Sequence, residues 1–282
     1  MLFRFGSLTL WAVAAPVTAV VTAVVAPAQQ IQNIAAASAA NFESGLPPPG
    51  SIAAIFCTGL NIIGVVQAAQ TPLPFQLNGV SVTIGGAPAP IFAIADLGGF
   101  QQINVQVPNE ATSASVVIQA GSLTGSSTAI LRASPGDFFR NPDGTGVFQH
   151  NADYSLVTPA NPARPGEALI AYLTGIAGTL VPTDTPAPVD PLKYVFEYSN
   201  AAGSNTYYMD VGGFHVTPTF FGLTPGLIGV FQMNFMNPVG GPSPQSVRLA
   251  HYTCSGNFHG TCGTNNGYPQ TSYGSAVTLP VQ

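Results

Sequence analysis

Residues 46–59, "LPPPGSIAAIFCTG", and residues 161–175, "NPARPGEALIAYLTG", have the same plan. Each places Pro-Gly before a short apolar run and closes on Thr-Gly. Proline delivers the chain in an extended form, and glycine permits a turn that other residues resist. The apolar run between them is too short for a core helix and suits a strand buried on at least one face. A chain that uses this unit twice is constrained to use one β architecture twice.

The repetition extends further. "QINVQVP" (102–108) and "QMNFMNP" (232–238) both read Gln-apolar-Asn-apolar-x-x-Pro. Each follows a Gly-Gly pair, Gly85-Gly86 or Gly212-Gly213, by about twenty residues. Ile103, Val105 and Val107 alternate with Gln102, Asn104 and Gln106, the period of a half-buried strand. Pro108 and Pro238 cannot donate to a ladder and mark strand ends. In "GVSVTIGG" (79–86), Val80, Val82 and Ile84 point one way before the turn. "ASVVIQA" (114–120) and "STAILRA" (127–133) bracket "GSLTG" as a closing hairpin. The same alternation predicts core positions for Phe231, Met233 and Phe235. Strands spaced by about ten residues, with no convincing amphipathic helix, predict an all-β chain of two tandem β-sandwiches. The expected division is 29–138 and 139–282, with 133–146 as the joint.

These motifs resemble a C-terminal domain family of Solibacter type, uncharacterised in function and common on exported acidobacterial proteins. That family is itself similar to IPT/TIG immunoglobulin-like domains. The resemblance rests on "PPPGSIAAIFCTGL", "LPFQLNGVSVTIGGAPAPIFAI", "QINVQVP", "ADYSLVTPANPARPGEALIAYLTGI" and "LTPGLIGVFQMNF", and covers most of residues 32–240. It implies immunoglobulin-like sandwiches and a bacterial exported protein, and it implies no catalytic residues. Three departures stand out. Cys57 replaces a usual glycine, residues 182–210 lengthen a connector, and residues 251–273 enlarge the final hairpin.

The N-terminus agrees with export. Arg4 precedes an apolar stretch from Leu8 to Val25, and Ala26-Pro27-Ala28 offers the small residues of a cleavage site. A retained membrane anchor is the rival, since the stretch approaches the ~20 residues that span a bilayer. Pro16 and the Thr and Ala content favour a cleaved signal peptide, residues 1–28, leaving no membrane span. Only 6% of residues are charged, and net charge is -5. With no basic stripe to neutralise phosphates, a nucleic-acid partner is not expected.

Catalytic motifs are absent. There is no G-x-S-x-G, and Lys193 follows Leu192 rather than a phosphate-loop glycine. Asp184 and Asp190 sit in a Pro-rich loop. "NPDGTG" (141–146) resembles the start of a calcium loop, but Ala152 stands where the bidentate Glu is required, and the residues suit a turn.

The richest local chemistry is "HYTCSGNFHGTC" (251–262). In an oxidising compartment Cys254 and Cys262 are expected to form a disulfide. His251, Cys254, His259 and Cys262 are the zinc alternative, excluded if the disulfide forms. Cys57 is expected to be a buried free thiol. Tyr252, Phe258, His259, Tyr268 and Tyr273 are candidate ligand contacts, since aromatic faces beside amides suit a carbohydrate or peptide. Tyr194, Phe196, Tyr198, Tyr207 and Tyr208 raise the same question, although "KYVFEYS" (193–199) alternates like a strand.

The expected role is non-enzymatic, without cofactors: an extracellular or cell-surface protein for adhesion, scaffolding or envelope binding, with a glycan or surface protein as partner. The alternatives are a carbohydrate-binding or glycan-processing accessory module, and a self-assembling filament or surface-layer subunit.

Overall fold

The computed structural model describes residues 30–132, 135–176, 181–187, 206–253 and 270–282. Among these there are strands and turns and no helix. The strands form four sheets whose named ladders all run antiparallel.

In the first half, β1 (Gln32–Ser38), β2 (Ile52–Thr58), β3 (Val65–Gln67), β4 (Gln76–Leu77) and β5 (Val80–Ile84) are followed by β6 (Ala87–Ala89), β7 (Ile91–Asp96), β8 (Gln101–Gln106), β9 (Ser115–Ala120) and β10 (Leu123–Thr128). One sheet has the order β1-β2-β8-β7-β3. The other has β10-β9-β5-β4, with β6 also on β5. One buried cluster draws Ile55 and Val105 from the first sheet and Val82 and Ile118 from the second, so the sheets pack face to face.

In the second half come β11 (Asp137–Phe138), β12 (Phe148–His150), β13 (Ala168–Thr174), β14 (Thr206–Val211) and β15 (Phe214–Val216). They are followed by β16 (Phe220–Leu223), β17 (Phe231–Met236), β18 (Gln245–Thr253), β19 (Gln270–Tyr273) and β20 (Val277–Leu279). These pair as β11-β13-β17-β16, with β12 also on β13, and as β15-β14-β18-β19, with β20 also on β18. A second buried cluster joins Leu169, Met233 and Phe235 to Met209, Val247 and Leu249. The arrangement fits immunoglobulin-like sandwiches and a tandem repeat.

The repeat is one of hydrogen-bond register. β2 meets β8 with Ile52 opposite Gln106 and Phe56 opposite Gln102. β13 meets β17 with Ala168 opposite Met236 and Tyr172 opposite Gln232. The Gly50 amide donates to the Val107 carbonyl and the Gly166 amide to the Asn237 carbonyl, both at 2.8 Å. Both glycines are left-handed, at φ +81° and +78°, where a Cβ is strained. At Gly50 a Cβ would also lie 2.7 Å from Val181 Cγ2. Pro-Gly is therefore the turn that starts the same strand in each half.

The alternation is realised as expected. Val80, Val82 and Ile84 are buried, as are Ile103, Val105 and Val107, and Phe231, Met233 and Phe235. Slipping β5 by one residue would expose its three apolar side chains, at a cost of roughly 5–9 kcal/mol as an upper bound.

Two details differ from the sequence reading. The β9–β10 turn is the pair Gly121-Ser122, because Leu123 already pairs with Ala120. A two-residue loop matches strand twist better than the five-residue "GSLTG" turn. Thr124 and Gly125 therefore belong to β10, where a Cβ at Gly125 would collide with the Ile31 carbonyl. Within the expected joint, Asp137 and Phe138 pair with Thr174 and Leu173, and Phe138 belongs to the second buried cluster.

Candidate functional site

The C-terminal hairpin is only partly described. β18 and β19 pair from Ala250–Tyr273 to Thr253–Gln270, bracketing the loop. Cys254, Phe258, His259, Cys262 and Tyr268 lie outside the described residues. The expected disulfide lies there with them, as do all residues of the zinc alternative except His251. Tyr252 is placed by its backbone, opposite Thr206 and Thr271. The His251 ring stacks on Tyr207, with centroids 4.5 Å apart and planes at 16°. Tyr207 is buried in the core and His251 is half-buried against it; burial lowers the His251 pKa and pushes the Tyr207 hydroxyl up to about 12. Tyr273 is half exposed, but the Arg248 guanidinium covers its ring at 4.1 Å. Arg248 also pairs with Asp210 at 3.1 Å. That face of Tyr273 is already in use. Tyr208 meets the edge of His215 at 4.0 Å. Tyr194, Phe196, Tyr198 and Asp190 lie outside the described residues.

The calcium-like turn satisfies itself. Asp143 Oδ1 accepts from the Thr145 amide at 2.9 Å and its hydroxyl at 2.6 Å. The Thr145 hydroxyl bond, then the amide bond, lower the Asp143 pKa. Asn141 Nδ2 donates to the same hydroxyl at 3.0 Å. This is Asx-turn chemistry, in which the side chain is spent on its own backbone. Among the described residues no group of three His, Cys, Asp or Glu side chains is placed to hold a metal. Cys57 is 1% exposed and free, and burial pushes its thiol up to about 11.

Two polar clusters that sequence reasoning missed join the halves. In the first, Asp137 is fully buried. Its Oδ1 accepts from Asn41 at 3.2 Å and from Arg132 at 2.9 Å. Arg132 also pairs with Glu43 at 2.9 Å, and Arg140 donates to the Asn41 carbonyl. In the second, the buried Gln106 grips residues 182–184. Its Nε2 donates to the Pro182 carbonyl at 2.8 Å, and its Oε1 accepts from the Asp184 amide at 2.9 Å. Asn109 Nδ2 donates to the Val181 carbonyl at 2.7 Å and to Thr183 at 3.1 Å. Thr174 adds a third link, accepting from the Ile52 amide and donating to the Gly229 carbonyl. Arg132 and Asp137, five residues apart in so uncharged a chain, were the available clue to the first cluster. Gln106 gave none, because outward glutamines on strands are ordinary.

The Gln-x-Asn motif is also explained. Gln102 donates to Asn104 at 2.7 Å, and Gln232 to Asn234 at 2.8 Å, on the outward sheet faces. Beside each pair stands an aromatic residue, Phe56 or Tyr172. Here the halves diverge. In the first, Phe56 lies between Phe42 at 6.3 Å and Phe100 at 5.9 Å. In the second, register places Val230 where Phe100 stands. Tyr154 corresponds to Phe42: both have φ +58° and donate to the carbonyl four residues back, at 2.9 Å. Tyr154 is 66% exposed. The result is a groove of about 320 Å³ beside Tyr172, walled by Phe139, Val147, Leu156, Leu227 and Val230. Tyr172 donates to Gln149 Oε1 at 2.7 Å, and Gln149 Nε2 donates to the Tyr154 carbonyl at 2.8 Å. Desolvation by burial, then the nearby Tyr154, raise the Tyr172 pKa.

These features define an all-β protein of packed antiparallel sheets. Comparison with solved structures finds one titled "Tandem Ig repeats of Dlar", at 13% identity over 83% of this chain and 91% of that chain. Its TM-score is 0.18, so the fold description rests on the sheets themselves. No protein-family model matches, and the resemblance to the Solibacter-type family rests on the motifs alone. The search of curated proteins gives no match.

Proposed function

We propose that the chain is a non-enzymatic surface or scaffold module of two tandem immunoglobulin-like domains, exported after removal of residues 1–28. The first domain runs into the 133–146 joint and the second from there to residue 282. It would hold two sandwiches at a fixed angle outside the cell, for adhesion or envelope binding. The observation that supports this best is the joint. Buried side-chain hydrogen bonds from Asp137, Gln106 and Thr174 link the halves at three places. Flexible linkers make no such contacts, and a fixed relative orientation is what a scaffold needs. The low charge and the apolar stretch from Leu8 to Val25 ahead of Ala26-Pro27-Ala28 support the location.

The test has two parts. The chain is expressed in a bacterium with its own N-terminus, and the exported fraction is sequenced from its first residue. Expected is an exported protein beginning near Gln29. A full-length chain confined to the cytoplasm would sink the export reading. Spin labels on β10 and β20 should give one narrow distance distribution; a broad one would sink the fixed-scaffold reading.

A further inference from the structure

We propose that the groove beside Tyr172 is a docking site for an uncharged aromatic side chain of a protein partner. The inference rests on the groove's geometry and stands whether or not the chain is exported. At the matching place in the first half, Phe100 and Phe42 cover Phe56 with their own rings. The second half keeps the aromatic base as Tyr172 and replaces Phe100 with Val230, while Tyr154 is exposed as Phe42 is. The space an aromatic ring fills in one copy is open in the other.

Charge and shape narrow the occupant. Among the described residues no ionised side chain lines the groove, so a charged group would lose its water without compensation. The groove is shallow, and its apolar rim is exposed at Leu156 (55%) and Leu227 (44%). Small free ligands are usually enclosed on most of their surface. An open groove with an apolar rim instead suits one anchoring ring of a larger surface, which covers the rim as it docks. Tyr172 spends its hydroxyl hydrogen on a bond to Gln149, but its oxygen can still accept. The phenol of a tyrosine or the indole N–H of a tryptophan would meet that acceptor.

The test uses N-acetyl-tryptophanamide as the probe, read by saturation-transfer NMR on the purified chain. Binding of about millimolar strength is expected for one open anchor site. Val230→Phe fills the groove as Phe100 does in the first half, and should weaken the probe at least tenfold while the cooperative melt is retained. Leu227→Ser, on the exposed rim where folding is not at stake, should weaken it several-fold. The proposal is overturned if the wild-type chain shows no transfer, or if the Leu227→Ser and Val230→Phe chains bind as well as wild type. It is equally overturned if octanoate or cellobiose saturates the groove as strongly, since that assigns it to an acyl chain or a sugar.

Discussion

Replacing Gln106 with alanine tests how the two sheet pairs are held together. The carboxamide makes three bonds: to the Gly50 carbonyl at 3.3 Å, to the Pro182 carbonyl at 2.8 Å and from the Asp184 amide at 2.9 Å. Each neutral bond contributes about 1 kcal/mol net, about 3 kcal/mol for the three, and the loss is larger if all three groups stay buried and unpaired. Residues 181–184 have an escape, because they can lift from β8 and hydrogen-bond to water. That lowers the expected cost to about 2 kcal/mol, or about 30-fold in the local opening equilibrium. The assay is native-state hydrogen exchange. The Asp184 amide should exchange about 30-fold faster. The Leu73 amide should follow it, because its acceptor is the Asp184 carbonyl at 2.8 Å. The Val105 amide, within β8, should change far less. Unchanged exchange at both Asp184 and Leu73, with global stability lowered, would refute the reasoning. Gln106 would then support its own sheet and not the contact between halves.

Asp137→Ala should destabilise the chain by about 3 kcal/mol in urea titration, since a buried partner of Arg132 is removed. Asp137→Asn should cost less, and equal costs would show that charge is immaterial there. Cys57 should resist thiol reagents at pH 8 and react on unfolding, because the thiolate is the reactive form. Its folded pKa of about 11 exceeds the ordinary 9.0. The stabilisation from burying the neutral thiol is therefore present below pH 9 and lost between about 9 and 11. The slope is at most about 1.4 kcal/mol per pH unit, and a Cys57→Ala chain should lack it. Non-reducing intact mass with alkylation should find one reactive thiol after unfolding. Three thiols with stoichiometric zinc would replace the expected disulfide between Cys254 and Cys262 by a metal site.

Much of the architecture was readable in one dimension. The alternation in residues 80–84, 102–107 and 231–235 names the buried face, because each strand's side chains point alternately to opposite faces whatever lies beyond. The two Pro-Gly pairs name the strand starts, because a left-handed turn favours glycine. Cys57 in its apolar run was legible as a buried thiol on the same grounds. The contacts between the halves were not readable. Asn41 and Asp137 are 96 residues apart, and nothing local to either depends on the other. Gln106 and Gln102 look alike in sequence, yet one is buried against residues 182–184 and the other faces outward on its sheet. The groove beside Tyr172 is a similar case. Val230 is an ordinary strand-flanking valine until the register of β13 and β17 sets it where the first half has Phe100. Periodicity tells a residue which face it occupies. What meets that face depends on how distant sheets close on one another, and that depends on the whole chain.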